Sequence, residues 1–282
     1  MWLALAFSFV MVLSTVSCAE EASDCRVRVL NVVAHQDDDL LFLSPDLLHN
    51  IQNDRCVRTI FVTAGDFNQP RSYWLGREAG VKAAYAAMAG VQDDWNLTDA
   101  GVKGHPLPVV TLTQAPKVSL AFMRLPDGGM EGKGSSNQKF ASLQKLYLGE
   151  MAAIRAVDGS SSYSRDALVQ TLVQLIRDYR PDVINTQDYT GRLGDGDHSD
   201  HHIVGYLTQR AHRDYAPRHE LVGYAGYGIS KRRANLSAGE RRAKTSFFFT
   251  YAVYDRETCA TLWACAARPE GLWLARQYTV PS

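Results

Sequence analysis

Two short segments of the chain concentrate the side chains that bind metals. One is "AHQDDD", directly after the apolar run "VRVLNVV", and the other is "HSDHH", about two-thirds along the chain. Their candidate residues are His35, Asp37, Asp38, His198, Asp200, His201 and His202. Two imidazole nitrogens and one carboxylate oxygen form a familiar catalytic zinc set, because three protein ligands leave one coordination position open for water. Each segment alone is also typical of a solvated turn or a helix start, but together they favour a metal site.

Spacing separates the histidines of the second segment. His198 and His201 are three residues apart at the predicted start of a helix, so they face the same way. One of them can therefore bind a metal while the other reaches a substrate. We expect His202 to be an outward-facing bystander. The remaining histidines have surface or packing roles by their context; they are His49, His105, His212 and His219.

The elements that must position these segments alternate between strand and helix. Apolar, β-branched runs predict strands over residues 27–34, 57–64, 117–125 and 182–186, with another at "HELVGYAGY". Helices are predicted over 44–51, 73–90 and 164–179, then from Ser199 and from Ser237, with a strand as the alternative from Phe247 onwards. This alternation predicts an α/β fold with an open, mostly parallel sheet flanked by helices. Ligands bind such sheets outside the carboxyl ends of the strands, where both histidine-rich segments lie.

The two segments resemble the signatures of a known family. "AHQDDD" looks like the "AHPDDE" signature of the LmbE-like, or PIG-L, zinc deacetylases, and "HSDHHIVG" looks like their "HPDHxxxG" signature. Both occur in the family's order. The resemblance implies a Rossmann-like sheet and removal of the acetyl group from N-acetylglucosaminyl substrates. It also implies zinc, although the same ligand types accept other divalent transition metals.

The resemblance implies roles for individual residues. His35, Asp38 and His201 match the metal ligands, and Asp37 matches the general base. On chemical grounds, His198 can donate to the leaving amine or stabilise the tetrahedral oxyanion, with Asp200 orienting or charging it. Two more residues fall where the family binds its substrate, Arg77 in "GREAG" and Asp127 in "LPDGGM".

The chain departs from the family pattern in three places. Gln36 stands where the family has proline and Asp39 where it has glutamate, and neither position is a ligand or base in the pattern. A tyrosine that some members place before the second signature is absent, since Gly196 and Asp197 stand there. What holds an oxyanion in this chain is therefore open, and no role follows for Asp39.

The N-terminus and the cysteines indicate export. Residues 1–19 are apolar and end in small residues, which predicts a secretory signal peptide, with an uncleaved anchor as the alternative because a positive n-region is missing. Residues 20–282 are then expected to form a single LmbE-like domain. Four cysteines remain in the exported chain, and they suggest two disulfides, with reduced core thiols as the alternative; they are Cys25, Cys56, Cys259 and Cys265. Cys25 and Cys56 precede neighbouring predicted strands, and the other two close a short loop. Acceptor sequons occur at Asn96 and Asn235.

Composition limits the partners. Lys+Arg and Asp+Glu both number 30, so nothing electrostatic indicates nucleic acid or an anionic membrane surface, and no second apolar run is long enough to cross a bilayer. The sequence predicts a secreted zinc-dependent N-deacetylase acting on an N-acetylated sugar, in a glycan or a glycolipid. Rival interpretations are a zinc amidase acting on another acylated amine and a carbohydrate-binding relative with weak catalysis. A protein anchored in the endoplasmic reticulum membrane is the alternative location.

Overall fold

The computed structural model describes residues 25–281, so the predicted signal peptide or anchor lies outside the described residues. The strands are β1 (Arg28–Val33), β2 (Cys56–Thr63), β3 (Trp95–Asp99), β4 (Pro108–Leu112), β5 (Val118–Leu125), β6 (Ile154–Arg155), β7 (Ser162–Tyr163), β8 (Val183–Gln187) and β9 (Glu220–Tyr224). The α-helices are α1 (Asp38–Phe42), α2 (Asp46–Gln52), α3 (Arg71–Ala89), α4 (Leu143–Leu148), α5 (Arg165–Tyr179), α6 (Ser199–His212), α7 (Ala238–Ala252), α8 (Leu262–Cys265) and α9 (Pro269–Trp273). None of these helices has the length and apolar character needed to span a bilayer.

The central sheet has the strand order β3-β4-β5-β2-β1-β8-β9. The strands from β5 to β9 in this order are parallel, whereas β3 and β4 add an antiparallel edge. The chain runs from β1 outwards through β2 to β5, and later returns to the other side of β1 with β8. The order therefore reverses between β1 and β8, and a crevice opens there at their carboxyl ends.

Helices cover both faces of the sheet, as the apolar run of β1 predicts. Val29 and Val33 pack into one core with α3 and α7, while Leu30 and Val32 pack into the opposite core with α5 and α6. Successive side chains of a strand point to opposite faces, so a strand buried on both sides is apolar at most positions; Asn31 is the buried polar exception in β1. The mostly parallel, helix-flanked sheet predicted from the sequence is confirmed.

The ends of several helices follow their local sequence. Ser164 caps α5 by accepting a hydrogen bond from the Ala167 amide, and Ser237 and Glu240 form the predicted capping box of α7. The alternative of a strand from Phe247 is wrong, because α7 continues to Ala252. Phe248 and Tyr251, three residues apart, lie on the buried side of this helix.

The edge strands β3 and β4 do not appear in the sequence prediction. Most of β3 is exposed, so it lacks the buried apolar run from which the parallel strands are predicted. Its pairing with β4 depends on β5, which provides the preceding edge of the sheet. Asn96, one of the two sequon residues, lies exposed on β3, and Asn235 is also exposed.

Two disulfides join the four cysteines in the expected pairs. Cys25 and Cys56 are bonded, and Arg28 at the start of β1 lies opposite Cys56 in the register of the sheet. This β1–β2 disulfide is possible because the two strands are parallel neighbours. Cys259 and Cys265 close the short loop before α9.

Candidate metal centre

The two histidine-rich segments meet at the crevice between β1 and β8. His35 follows β1 directly, and the segment from Asp188 to His198 connects β8 to α6. Because β1 and β8 are parallel and hydrogen-bonded, both segments emerge at the same edge of the sheet. The structure therefore brings His35 and His201 together, with ring centroids 5.4 Å apart, although they are far apart in sequence.

Asp38 lies between these two histidines. One carboxylate oxygen is 3.1 Å from His35 Nδ1 and the other is 3.0 Å from His201 Nε2. All three side chains are buried. Burial alone would raise the pKa of Asp38, but His201 and His35 hold it well below its usual range. Burial alone would lower the pKa of His201, but Asp38 and Asp197 raise it to about 10.

The donor atoms fit a divalent metal. His35 Nε2 and His201 Nε2 are buried, yet within the described part of the chain neither nitrogen has a partner in hydrogen-bond geometry. Buried polar atoms are nearly always satisfied, so such atoms need an explanation. Neutral imidazole nitrogens beside a carboxylate are the ligand set that zinc accepts. Among the described residues, His35 takes part in three groups whose donor atoms lie within 4.8 Å of one another: with His198 and His201, with Asp37 and Asp38, and with Asp127, His198 and Asp200.

Asp37, which precedes α1, and Asp38 have different partners, although each offers a carboxylate oxygen within 4.8 Å of the other and of a His35 nitrogen. Its side chain is 20% exposed, against 3% for Asp38. Burial raises the pKa of Asp37, and the guanidinium of Arg77 opposes this rise. The carboxylate of Asp37 thus faces the cavity while Asp38 faces the histidines.

Arg77 holds Asp37 rather than standing free. Its guanidinium is buried, pairs with Asp37 and donates to the Gly65 carbonyl at 3.1 Å. Its Nε donates to the Tyr251 hydroxyl at 2.7 Å and lies 3.1 Å from Asp255. The nearby "TAGD" turn needs its glycine, because Gly65 has a positive φ and a Cβ there would overlap the guanidinium. Arg77, expected from its sequence position to bind a substrate, lines the cavity, and the donors named here all meet protein groups.

The start of α6 orients the His198 ring. His198 is the N-cap residue, and its Nδ1 accepts a hydrogen bond from the Asp200 amide at 3.2 Å. A neutral imidazole that accepts at Nδ1 carries its proton on Nε2. That nitrogen lies 3.5 Å from an oxygen of Asp127. Asp200 is fully buried and accepts from the Gly128 amide at 2.9 Å, so it also fixes the glycine-rich segment that carries Asp127.

Asp197 is a residue of the site to which the sequence analysis assigns no role. Its Oδ1 lies 2.8 Å from His201 Nδ1 and accepts from the backbone amides of His198 and Tyr227. A carboxylate on Nδ1 orients the imidazole and directs Nε2 towards a metal. Its position beside the second signature is the only local signal that could have identified it.

The expected outward-facing position of His202 is wrong. The residue is buried, its Nδ1 lies 3.2 Å from the Asp188 carbonyl, and its Nε2 lies 3.0 Å from Asp195. It therefore fixes the 188–197 segment against α6. The helix buries this face because α6 packs on both the sheet and that segment.

A cavity of about 690 Å³ opens above the cluster. Its walls come from segments far apart in the sequence and include Tyr227, Trp273 and Arg268. The Tyr227 ring stacks on Trp273 at 4.6 Å and lies 5.1 Å from the His201 ring. Burial raises the pKa of Tyr227, and nearby carboxylates raise it further, so the phenol stays protonated. No sequence signal connects Tyr227 to the second signature.

Comparisons with known proteins place this site in a family. The model of the GlcNAc-PI de-N-acetylase (PIG-L) family matches residues 30–212, which contain both histidine-rich segments. A comparison with curated proteins finds no match. Similar solved structures include the A40926 pseudoaglycone deacetylase Dbv21, with 14% identity, 88% of each chain covered and a TM-score of 0.51. The N,N'-diacetylchitobiose deacetylase from Pyrococcus horikoshii has 12% identity over 80% of this chain and 70% of its own, with a TM-score of 0.46. Because the family model spans most of the chain, the protein belongs to the PIG-L (LmbE-like) family.

Proposed function

We propose that this protein is a metal-dependent hydrolase that removes the acetyl group from an N-acetylhexosamine, in a glycan or a glycolipid. The main support for the proposal is that the adjacent residues Asp37 and Asp38 have different surroundings. Asp38 lies between two histidines, whereas Asp37 faces the cavity. A binding protein needs the first arrangement only, and hydrolysis needs both.

His35, Asp38 and His201 would hold the metal, with zinc as the expected ion. A metal bound there supplies an acidified water and polarises the amide carbonyl of the substrate. The Nε2 atoms of the two histidines support this assignment, because both are buried and neither has a partner in hydrogen-bond geometry among the described residues. Asp127 and Asp200 lie near enough to His35 to provide a further carboxylate oxygen.

Asp37 then acts as the general base. Its carboxylate is held by Arg77 at the floor of the cavity, where it can accept the proton of the attacking water. His198 accepts at Nδ1, so in its neutral form its Nε2–H can donate to the leaving amine or to the oxyanion. Asp200 fixes His198 from the backbone side. Asp127, beside His198, is placed to bind a sugar hydroxyl.

The cavity suits a sugar. Its volume of about 690 Å³ lies within the range of about 300–1,000 Å³ found for small-ligand sites. Polar side chains for hydroxyl groups alternate with the Tyr227 and Trp273 rings. The family description supports an N-acetylated sugar as the substrate.

The experiment is an acetate-release assay with zinc-loaded protein. Substrates are chitooligosaccharides, N-acetylgalactosamine polymers, an N-acetylglucosaminyl phosphatidylinositol and a non-sugar acetylated amine. We expect Asp37→Asn to keep its zinc and to lose acetate release, while the exposed control Asp94→Asn keeps both. His201→Ala should lose zinc and activity together. Release only from the non-sugar amine would favour the amidase alternative, and sugar binding without any turnover would favour the binding-protein alternative.

The location remains part of the proposal. Both disulfides suit an oxidising compartment, and Asn96 is exposed as an acceptor for a glycan would be. We propose secretion of a single LmbE-like domain over residues 20–282, with a membrane anchor at residues 1–19 as the alternative. Mass analysis of the exported protein would distinguish them by its N-terminus.

A further inference from the structure

The third aspartate of "AHQDDD" is part of a buried hydrogen-bond chain. Asp39 has no exposed surface. One of its carboxylate oxygens accepts from the Leu40 amide at 2.8 Å, and the other accepts from the Tyr85 hydroxyl of α3 at 2.5 Å. Within residues 25–281 no cationic side chain forms an ion pair with it. Such a carboxylate is expensive to bury, so its bonds need a reason.

The chain continues from Tyr85 into the sheet. The Tyr85 hydroxyl lies 2.5 Å from Thr59 Oγ1 on β2, and Thr59 Oγ1 accepts from the Asn31 amide on β1 at 2.9 Å. Asn31 in turn accepts from the Asn185 amide on β8 at 2.9 Å. Because Tyr85 donates to Asp39, the Thr59 hydroxyl must donate to Tyr85. Every donor in the chain therefore points towards Asp39, an arrangement in which each bond polarises the next.

Asp39 belongs to a short helix whose rotation sets where Asp37 and Asp38 project. Helix α1 has five residues, all buried; its apolar residues pack in the core, and Asp37 at its N-cap makes no side-chain capping bond. Asp37, Asp38 and Asp39 project in three directions, towards Arg77, the histidines and Tyr85 respectively. A small rotation of α1 would move Asp37 and Asp38 together. Tyr85 and Arg77 lie on the same helix, so α3 holds α1 on two sides.

We propose that Asp39 is a positioning residue that fixes the orientation of Asp38 and Asp37 through the Tyr85 hydroxyl and the buried chain behind it. The inference rests on the proposed metal site. It gives a role to Asp39, the aspartate of the segment that contacts neither the proposed metal site nor the cavity. It also explains why polar residues occupy the middle of three buried strands.

The test removes single hydroxyl groups and measures zinc affinity by competition with a chelator. Tyr85→Phe keeps the ring and breaks the bond to Asp39. Tyr163→Phe is the matched control, because Tyr163 is also buried and its hydroxyl has no hydrogen-bond partner among the described residues. We expect Tyr85→Phe to weaken zinc binding about tenfold, as the loss of an outer-shell partner does. Tyr163→Phe should bind zinc like the wild type.

Two further measurements separate positioning from general destabilisation. Thr59→Val should weaken zinc binding less than Tyr85→Phe does, because the bond between Tyr85 and Asp39 remains. On an acetylated sugar, Tyr85→Phe should lower kcat and leave KM nearly unchanged, since the cavity walls are intact. Zinc affinity of Tyr85→Phe equal to that of Tyr163→Phe would overturn the inference while leaving the metal site standing. A wild-type protein that binds no divalent metal would refute the proposed function and this inference together.

Discussion

Asp197 offers the sharpest test of the metal centre, because it touches His201 without being a ligand. One of its oxygens accepts three hydrogen bonds, from His201 Nδ1 at 2.8 Å and from the His198 and Tyr227 amides at 2.8 and 3.2 Å. The side chain is only 9% exposed, so water cannot easily replace these bonds. Removing the carboxylate should therefore release the His201 ring from its orientation.

The size of the effect follows from what each substitution leaves behind. Asp197→Asn keeps an oxygen that can accept from His201 but removes the negative charge, so we expect about tenfold weaker zinc binding. Asp197→Ala removes every acceptor, and we expect about a hundredfold loss, which corresponds to about 2.7 kcal/mol. The order of zinc affinities, with Asp197 tightest, Asp197→Asn weaker and Asp197→Ala weakest, is as important as either value. It separates the effect of the hydrogen bond from the effect of the charge.

The assay is zinc titration against a chelator, with thermal unfolding of the metal-free proteins recorded in parallel. Asp99→Ala is the control, since Asp99 also accepts from two backbone amides, those of Gly101 at 2.7 Å and Leu107 at 2.9 Å, but lies on the edge strand β3. It should bind zinc like the wild type. If Asp197→Ala is folded and binds zinc as tightly as Asp99→Ala, then His201 is not a ligand oriented by Asp197 and the assignment of the centre is wrong.

Three other predictions concern the base, the protons and the disulfides. Arg77→Met should raise the pKa of Asp37, because the guanidinium no longer opposes the effect of burial. The acid limb of the pH profile of kcat should therefore move to higher pH. On that limb, activity should fall about tenfold for each pH unit by which the pKa rises. An unmoved acid limb would contradict the pairing. Zinc binding should release protons and become tighter as pH rises from about 6.5 towards 10, because the raised pKa of His201 keeps the metal-free imidazole protonated in this range. Calorimetry in two buffers of different ionisation enthalpy would measure the number of protons released. A zinc affinity that does not change with pH would refute the prediction. Removing the β1–β2 disulfide, which spans 31 residues, should lower the free energy of unfolding by about 3.7 kcal/mol. Removing the Cys259–Cys265 disulfide, which spans 6 residues, should lower it by about 2.2 kcal/mol. Denaturant titration should show this order, and the reverse order would contradict the loop-entropy argument.

Much of the framework follows from local sequence. The β-branched runs of β1 and β2 specify strands buried on both faces, and the caps at Ser164 and Ser237 specify where two helices begin. Strand and helix periodicities act over a few residues, so the chain carries them without reference to its neighbours. Both histidine-rich segments could be predicted to share one edge of the sheet, because each follows a strand and the strands are parallel.

The roles within the segments depend on residues that are distant in the chain. By residue type the three consecutive aspartates are equivalent, and the family resemblance separates only Asp37 and Asp38. The folded chain gives each its partner: Arg77 for Asp37, the histidines for Asp38 and Tyr85 for Asp39. The burial of His202 and the approach of Tyr227 have the same origin. Sequence determined which groups stand at the rim of the sheet, because strand patterns are local. Tertiary structure decided which group each one faces, because burial and charge pairing are set by side chains that meet only when the chain has folded.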